Sequence, residues 1–168
     1  TWGTSRLGNI IPVIHFNPIK LSGAMLSKCS GFNALWVKDN LIGEGAKIII
    51  HRAGEIIPYI KKILSSGQGD LPLTCPNCGS ILDWKGVHLH CPNKSCLSKI
   101  EANLLHWCNT LARIDSLGEN ILLPFFEAME WRNITDIYNT SDEKWRRIID
   151  NFSTEHSKKM LWKLYTKL

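Results

Sequence analysis

At 168 residues, with 44% hydrophobic and 21% charged residues, the chain has room for one ordinary domain or two to three small ones and the composition of a soluble globular protein. No apolar run approaches the roughly 18 residues of a membrane span, so no membrane partner is expected. The net charge of +5 is uneven: residues 1–100 hold eleven Lys or Arg against five Asp or Glu, and residues 101–168 hold nine against ten. A basic first portion points toward a polyanion contact there, although charge alone does not choose nucleic acid over a neutral partner.

Residues 1–64 read as β structure. The stretch 9–16 is rich in β-branched residues and predicts a strand, with Pro12 tolerated near an edge. Residues 20–27 are a second strand candidate. Phe32, Leu35 and Trp36 share a helical face, which predicts a short helix over 32–40. Strands follow at 46–51 and 56–64, separated by turns at 43–45 and 52–55. Short strands with one helix between them fit a five-stranded OB-type barrel better than a sandwich, which needs more strands. The polar, glycine-bearing stretch 65–70 reads as a linker.

Cys75, Cys78, Cys91 and Cys96 follow as Cys-x2-Cys, twelve residues, Cys-x4-Cys. Two close pairs at this separation fill a tetrahedral zinc shell, and four sulfurs leave no open position, so the ion is structural. Gly79 after the second cysteine permits the tight metal-binding turn. Two disulfides in a secreted protein are the alternative; the sequence carries no secretory mark, and a reducing cytoplasm is expected. Cys29 and Cys108 read as buried free thiols. His90 adjoins Cys91 but finds the shell already full.

From residue 100 the periodicity becomes helical, with apolar stripes at Leu104, Leu105, Cys108 and Leu111, at Ile121, Leu122, Phe125 and Phe126, at Trp145, Ile148 and Ile149, and at Met160, Leu161, Leu164 and Tyr165. The strings at 141–144 and 153–156 look like N-terminal caps of the last two helices. Most of the seven tryptophans, Trp107, Trp145 and Trp162 among them, are expected in core or interface positions. The expected architecture is multi-domain α+β: an OB-fold β-barrel over 1–66, a four-cysteine zinc finger over 71–99 and a helical domain over 100–168.

This order of modules, and several local strings, resemble the bacterial-type NAD-dependent DNA ligases. The string 5–13 is similar to the family's Gly-Arg-Thr-Gly-x-hydrophobic-Thr-Pro-Val. The string 45–58, with Arg52-Ala53-Gly54-Glu55-Ile56-Ile57-Pro58 at its end, resembles Gly-Asp-x-Val-x-Val-x-Arg-Ala-Gly-Asp-Val-Ile-Pro and is the most specific match. Residues 113–118 resemble the family's first helix-hairpin-helix turn. The resemblance implies that Arg6 and Arg52 contact backbone phosphates around a nick. It implies that Ile56 and Ile57 press on the minor groove, although adjacent strand residues face opposite sides and one of them can be plain core. It further implies that Ser116 and Gly118 offer backbone N–H groups to a phosphate, and that the zinc module fixes the arrangement of its neighbours.

The same resemblance exposes departures. The sequence holds no Lys-x-Asp-Gly string, whose lysine the family adenylates from NAD. Leu7 stands where the family has Thr, residues 28–32 depart from Asn-Ala-Thr-Leu-His, and the second hairpin, around 152–157, lacks its glycines. NAD and Mg2+ are thus expected to serve the complete ligase and not this chain alone. The expected partners are nicked double-stranded DNA and an adenylation domain or subunit, in replication and repair. Two origins stay open: the C-terminal subunit of a split phage or viral ligase, with Thr1 left after removal of Met, or part of a longer polypeptide. A stand-alone OB-fold and zinc module that binds DNA without ligation is the alternative function.

Overall fold

The computed structural model describes residues 1–21, 23–53, 57–111, 113 and 117–167, with only the backbone described at 52, 53, 57 and 111. Two compact units emerge, Thr1–Cys96 and Leu97–Leu168.

In the first unit β1 (Trp2–Thr4), β2 (Ile10–Leu21) and β3 (Ala24–Ser30) form an antiparallel sheet in that order, and β4 (Lys47–Ala53) pairs with β5 (Ile57–Ser65). The strand expected at 20–27 is split by the turn of the β2–β3 hairpin, because Gly23 takes a left-handed φ of 79° and reverses the chain. The register slips between His15 and Ile19, where Pro18 has no N–H to give to the ladder. The short helix α1 (Ala34–Asp39) sits between β3 and β4, capped by the Asn33 side chain, which accepts from Trp36 N at 2.8 Å.

The stretch 65–70 is not a free linker. Gly67 N donates to Leu41 O at 2.8 Å and Gln68 N to Glu44 O at 2.9 Å. Gly43 and Gly67 allow this approach, since a side chain at either would run into the facing backbone. Among the described residues the buried apolar side chains of the β region are few (Ile10, Pro12, Cys29, Ala34, Val37, Ile42 and Ile60), and a hollow of about 570 Å³ opens between β2 and β4, lined by Ile14, Phe16, Ile48 and Ile50.

The hairpin β6 (Asp83–Lys85) and β7 (His88–His90) completes this unit, turning at Gly86 with φ 61°. The second unit is helical: α2 (Leu97–Leu111), α3 (Glu119–Met129), α4 (Ile134–Asn139), α5 (Asp142–Asp150) and α6 (Glu155–Tyr165). Its core gathers Leu104, Trp107, Phe125, Trp131, Trp145 and Leu161. Ser141 and Thr154 cap α5 and α6 as expected, accepting from Lys144 N and Ser157 N. The periodicity missed α4, whose capping box joins Asn133 and Asp136. Among the described residues, no helix is long and apolar enough to cross a membrane.

Candidate metal centre and nucleic-acid interface

The backbone builds the four-cysteine centre from two turns. Gly79 N donates to Cys75 O at 2.9 Å and Cys75 N to Ser80 O at 2.8 Å, with Gly79 at φ 72°, and this knuckle presents Cys75 and Cys78. The β6–β7 hairpin delivers Cys91, and a turn at Asn93 brings back Cys96. The four sulfurs lie within 4.8 Å of one another, and those of Cys78 and Cys91 are 3.5 Å apart. Tetrahedral zinc with bonds of about 2.3 Å sets sulfurs about 3.8 Å apart. All six cysteines of the sequence are free thiols, which leaves the disulfide alternative without support.

The thiol chemistry fits a cation. Hydrogen bonds from the Ser80 hydroxyl and backbone lower the Cys78 thiol to about 6, while burial pushes Cys91 up to about 12. Burial also acts to raise Cys75, but hydrogen bonds from Thr4 and from the backbone at Asn77 and Cys78 outweigh it and its acidity increases. Sulfurs this close repel one another as thiolates, so a divalent ion is the natural counter-charge. His90 is engaged elsewhere, with its Nδ1 3.0 Å from Asp83 Oδ1. Cys29 and Cys108 are buried, and burial alone raises both thiols, Cys108 to about 12.

The ribbon is fastened to the β strands at several points. Thr4 Oγ1, at the end of β1, lies 3.4 Å from Cys75 Sγ and donates to Asn77 Oδ1 at 2.7 Å. Cys91 N donates to Gly8 O at 2.8 Å, and Asn9 bridges His90. Leu35 N, on α1, donates to Val87 O at 3.0 Å. Ile10 and Ala34 are fully buried in one cluster with Cys75, Cys91 and Cys96.

Arg6 sits on the loop that these bonds hold. Ser5 N donates to Asn9 O, Gly8 N to Ser5 O and Asn9 N to Ser5 Oγ, closing a tight turn with Gly8 at φ 87°. Arg6 is exposed on that turn, four residues from the β2 core residue Ile10 and two from the carbonyl that binds Cys91. The predicted contact residue and the predicted metal centre are therefore joined by backbone hydrogen bonds. Thr4, Ser80 and Gly8 escaped the sequence reading: hydroxyls near cysteines are common, and the pairing of Gly8 with Cys91 spans most of the unit.

The other expected contact residues are partly visible. Gly118 is exposed at the N-cap of α3, with its carbonyl accepting from Ile121 and Leu122 N. Ile56 and Ser116 lie outside the described residues, as do the side chains of Arg52 and Ile57. The backbones of these last two close the β4–β5 ladder, with Arg52 opposite Pro58 and Ala53 opposite Ile57.

Fold and centre together define a small β domain of OB type with a four-cysteine ribbon docked on it. Residues 1–70 match the NAD-dependent DNA ligase OB-fold domain. The chain is 34% identical over 135 residues to the DNA ligase of Desulfatibacillum aliphaticivorans, covering 77% of this chain and 21% of that one. It is 41% identical over 116 residues to the DNA ligase of Shewanella baltica, covering 68% and 18%. To the DNA ligase of Bacillus subtilis it is 32% identical over 148 residues, covering 83% and 22%. The chain carries the OB-fold region of an NAD-dependent DNA ligase, and it spans about a fifth of the length of these curated relatives.

Proposed function

We propose that this chain is the DNA-gripping part of an NAD-dependent DNA ligase. The observation that carries the reading is the Arg6 turn, which belongs to the matched OB-fold region and is tied through Gly8 to the zinc ligand Cys91. Cys75, Cys78, Cys91 and Cys96 would hold a structural zinc ion, which would supply the counter-charge to their thiolates. The chain's own residues do the rest. Thr4 and Gly8 hold the ribbon against β1 and β2, and Arg6 is presented to a phosphate as a positioning charge. Arg52, Ile56 and Ile57, from the string that most resembles the family, together with Ser116 and Gly118, extend the grip along nicked duplex. An adenylation domain or subunit, supplying the lysine that this sequence lacks, then transfers AMP to the 5′-phosphate, and the 3′-hydroxyl attacks that phosphate and expels AMP. A reducing cytoplasm suits the free thiols.

Sealing of nicked DNA with NAD tests this reading, comparing the chain, an adenylation domain of the family, and the mixture. Sealing restricted to the mixture is the expected result. Arg6→Ala should lower affinity for nicked duplex and reduce the slope of log K against log salt by about 0.9, the value of one phosphate contact. A mixture that seals no better than its parts, with a chain indifferent to nicked duplex, would refute the reading.

A further inference from the structure

Phe32 has two unfavourable features at once. Its backbone is left-handed, with φ 61°, a conformation costly for a bulky residue, and its ring is 45% exposed. Neither arises from slack in the chain. Gly31 before it lies against Pro12, where a Cβ would come 2.8 Å from the proline ring, and Gly31 N donates to Pro12 O at 3.0 Å. Phe32 N donates to Ser30 Oγ at 3.1 Å, and Asn33 after it caps α1. The ring rests on Trp36 with centroids 4.6 Å apart.

Beside this pair lies a hollow of about 240 Å³, lined by Phe32, Trp36, Asn40, Lys61, Lys62 and two isoleucines of β5. Two consecutive strand residues ordinarily face opposite sides. Here the register places Ile50 opposite Ile60 and Ile49 opposite Lys62, so Lys61 is the extra residue of a β-bulge, and both lysines reach the same rim. Among the described residues, no Asp or Glu lines the hollow. A half-exposed aromatic ring beside a pair of cations is the chemistry of a nucleobase stacked on a ring with its phosphates held by lysine.

We propose that Phe32, Trp36, Lys61 and Lys62 form a second nucleic-acid site that takes an unpaired nucleotide of single-stranded DNA, apart from the grip on nicked duplex. Phe32 stacks on the base, Trp36 backs its ring, and the two lysines contact flanking phosphates. The strained backbone at Phe32 is what aims the ring outward. This inference goes beyond the duplex grip and shares with it only the assumption that the partner is DNA.

Fluorescence anisotropy on the full, zinc-loaded chain tests it, with a labelled oligothymidylate of about 12 nucleotides, within the span of one OB-type surface, and in parallel a nicked duplex. Phe32→Asn suits the test because Asn tolerates the left-handed backbone, so its melting temperature should stay level or rise. Its affinity for oligothymidylate should fall about 5- to 150-fold, the range for one stacked base, with nicked-duplex affinity unchanged. Lys61→Gln with Lys62→Gln should reduce the single-strand salt slope by about 1.4. Equal oligothymidylate binding by wild type and Phe32→Asn, or none by wild type at low salt, overturns the proposal. A parallel loss on nicked duplex also overturns it, assigning the ring to the duplex grip and leaving the ligase reading intact.

Discussion

In the helical unit the Phe125 ring meets Trp131, Trp145 and Phe152 at centroid distances of 5.4, 5.4 and 6.0 Å, whereas a buried cluster of the β unit packs Ile10, Ala34 and Leu89 around the cysteines. The first arrangement removes large apolar surface from water and makes edge-on aromatic contacts, and it needs nothing but the chain. The second gathers fewer and smaller side chains around four sulfurs, so the free energy of metal binding would take the place of a large core there. The β unit sets its proposed contact residue Arg6 on a turn bonded to the candidate metal centre, whereas the helical unit rests on its own apolar core.

Zinc removal is the largest way to separate the two. Apparent binding free energies of structural zinc in finger peptides are about 10–16 kcal/mol. A chelator should therefore collapse the 71–96 region and loosen the Arg6 turn through the Gly8 and Cys91 bond. Calorimetry with far-ultraviolet circular dichroism should show the β unit losing its transition while helical signal remains. Persistence of both transitions at full chelation would contradict the division.

Phe125→Ala is the complementary break. Its side chain is fully buried, so the loss should be about 3–5 kcal/mol. Calorimetry at saturating zinc should show that loss in the helical transition alone. An equal shift of the β transition would show that the units share one folding equilibrium.

The smallest effect lies at the α4 cap. Hydrogen bonds from Arg132 N at 2.6 Å and Asn133 N at 3.0 Å hold the Asp136 carboxyl below its usual range. Because the folded value is the lower one, this stabilisation is present at neutral pH and is lost as pH falls through it. Asp136→Asn should lower stability by about 1 kcal/mol or less at pH 7, given the exposure of the group. The gap should vanish well below about pH 3.9, the ordinary carboxylate value. A gap independent of pH would mean that the charge plays no part in the cap.

The metal centre and most helices were legible because their determinants are local. Ligand spacing in Cys75, Cys78, Cys91 and Cys96 places sulfurs through two short turns, and apolar stripes of period 3.6 marked α2, α3, α5 and α6. Six-residue α4, with Ile137 as its one described buried residue, is too short for periodicity to register. Apolar composition also ran the second strand candidate through the turn at Gly23, where backbone conformation decides. Other features needed tertiary contact. Close backbone approach at Gly43 and Gly67 turned an apparent linker into a packed segment. The bond from Cys91 to Gly8 joined metal centre to contact loop, and a bulge at Lys61 set two lysines beside an exposed Phe32. The sequence by itself determined which residues could ligate, cap or pack, since those preferences act over a few residues; which distant turns meet was decided only when the chain closed on itself, because such contacts depend on positions far apart in the chain.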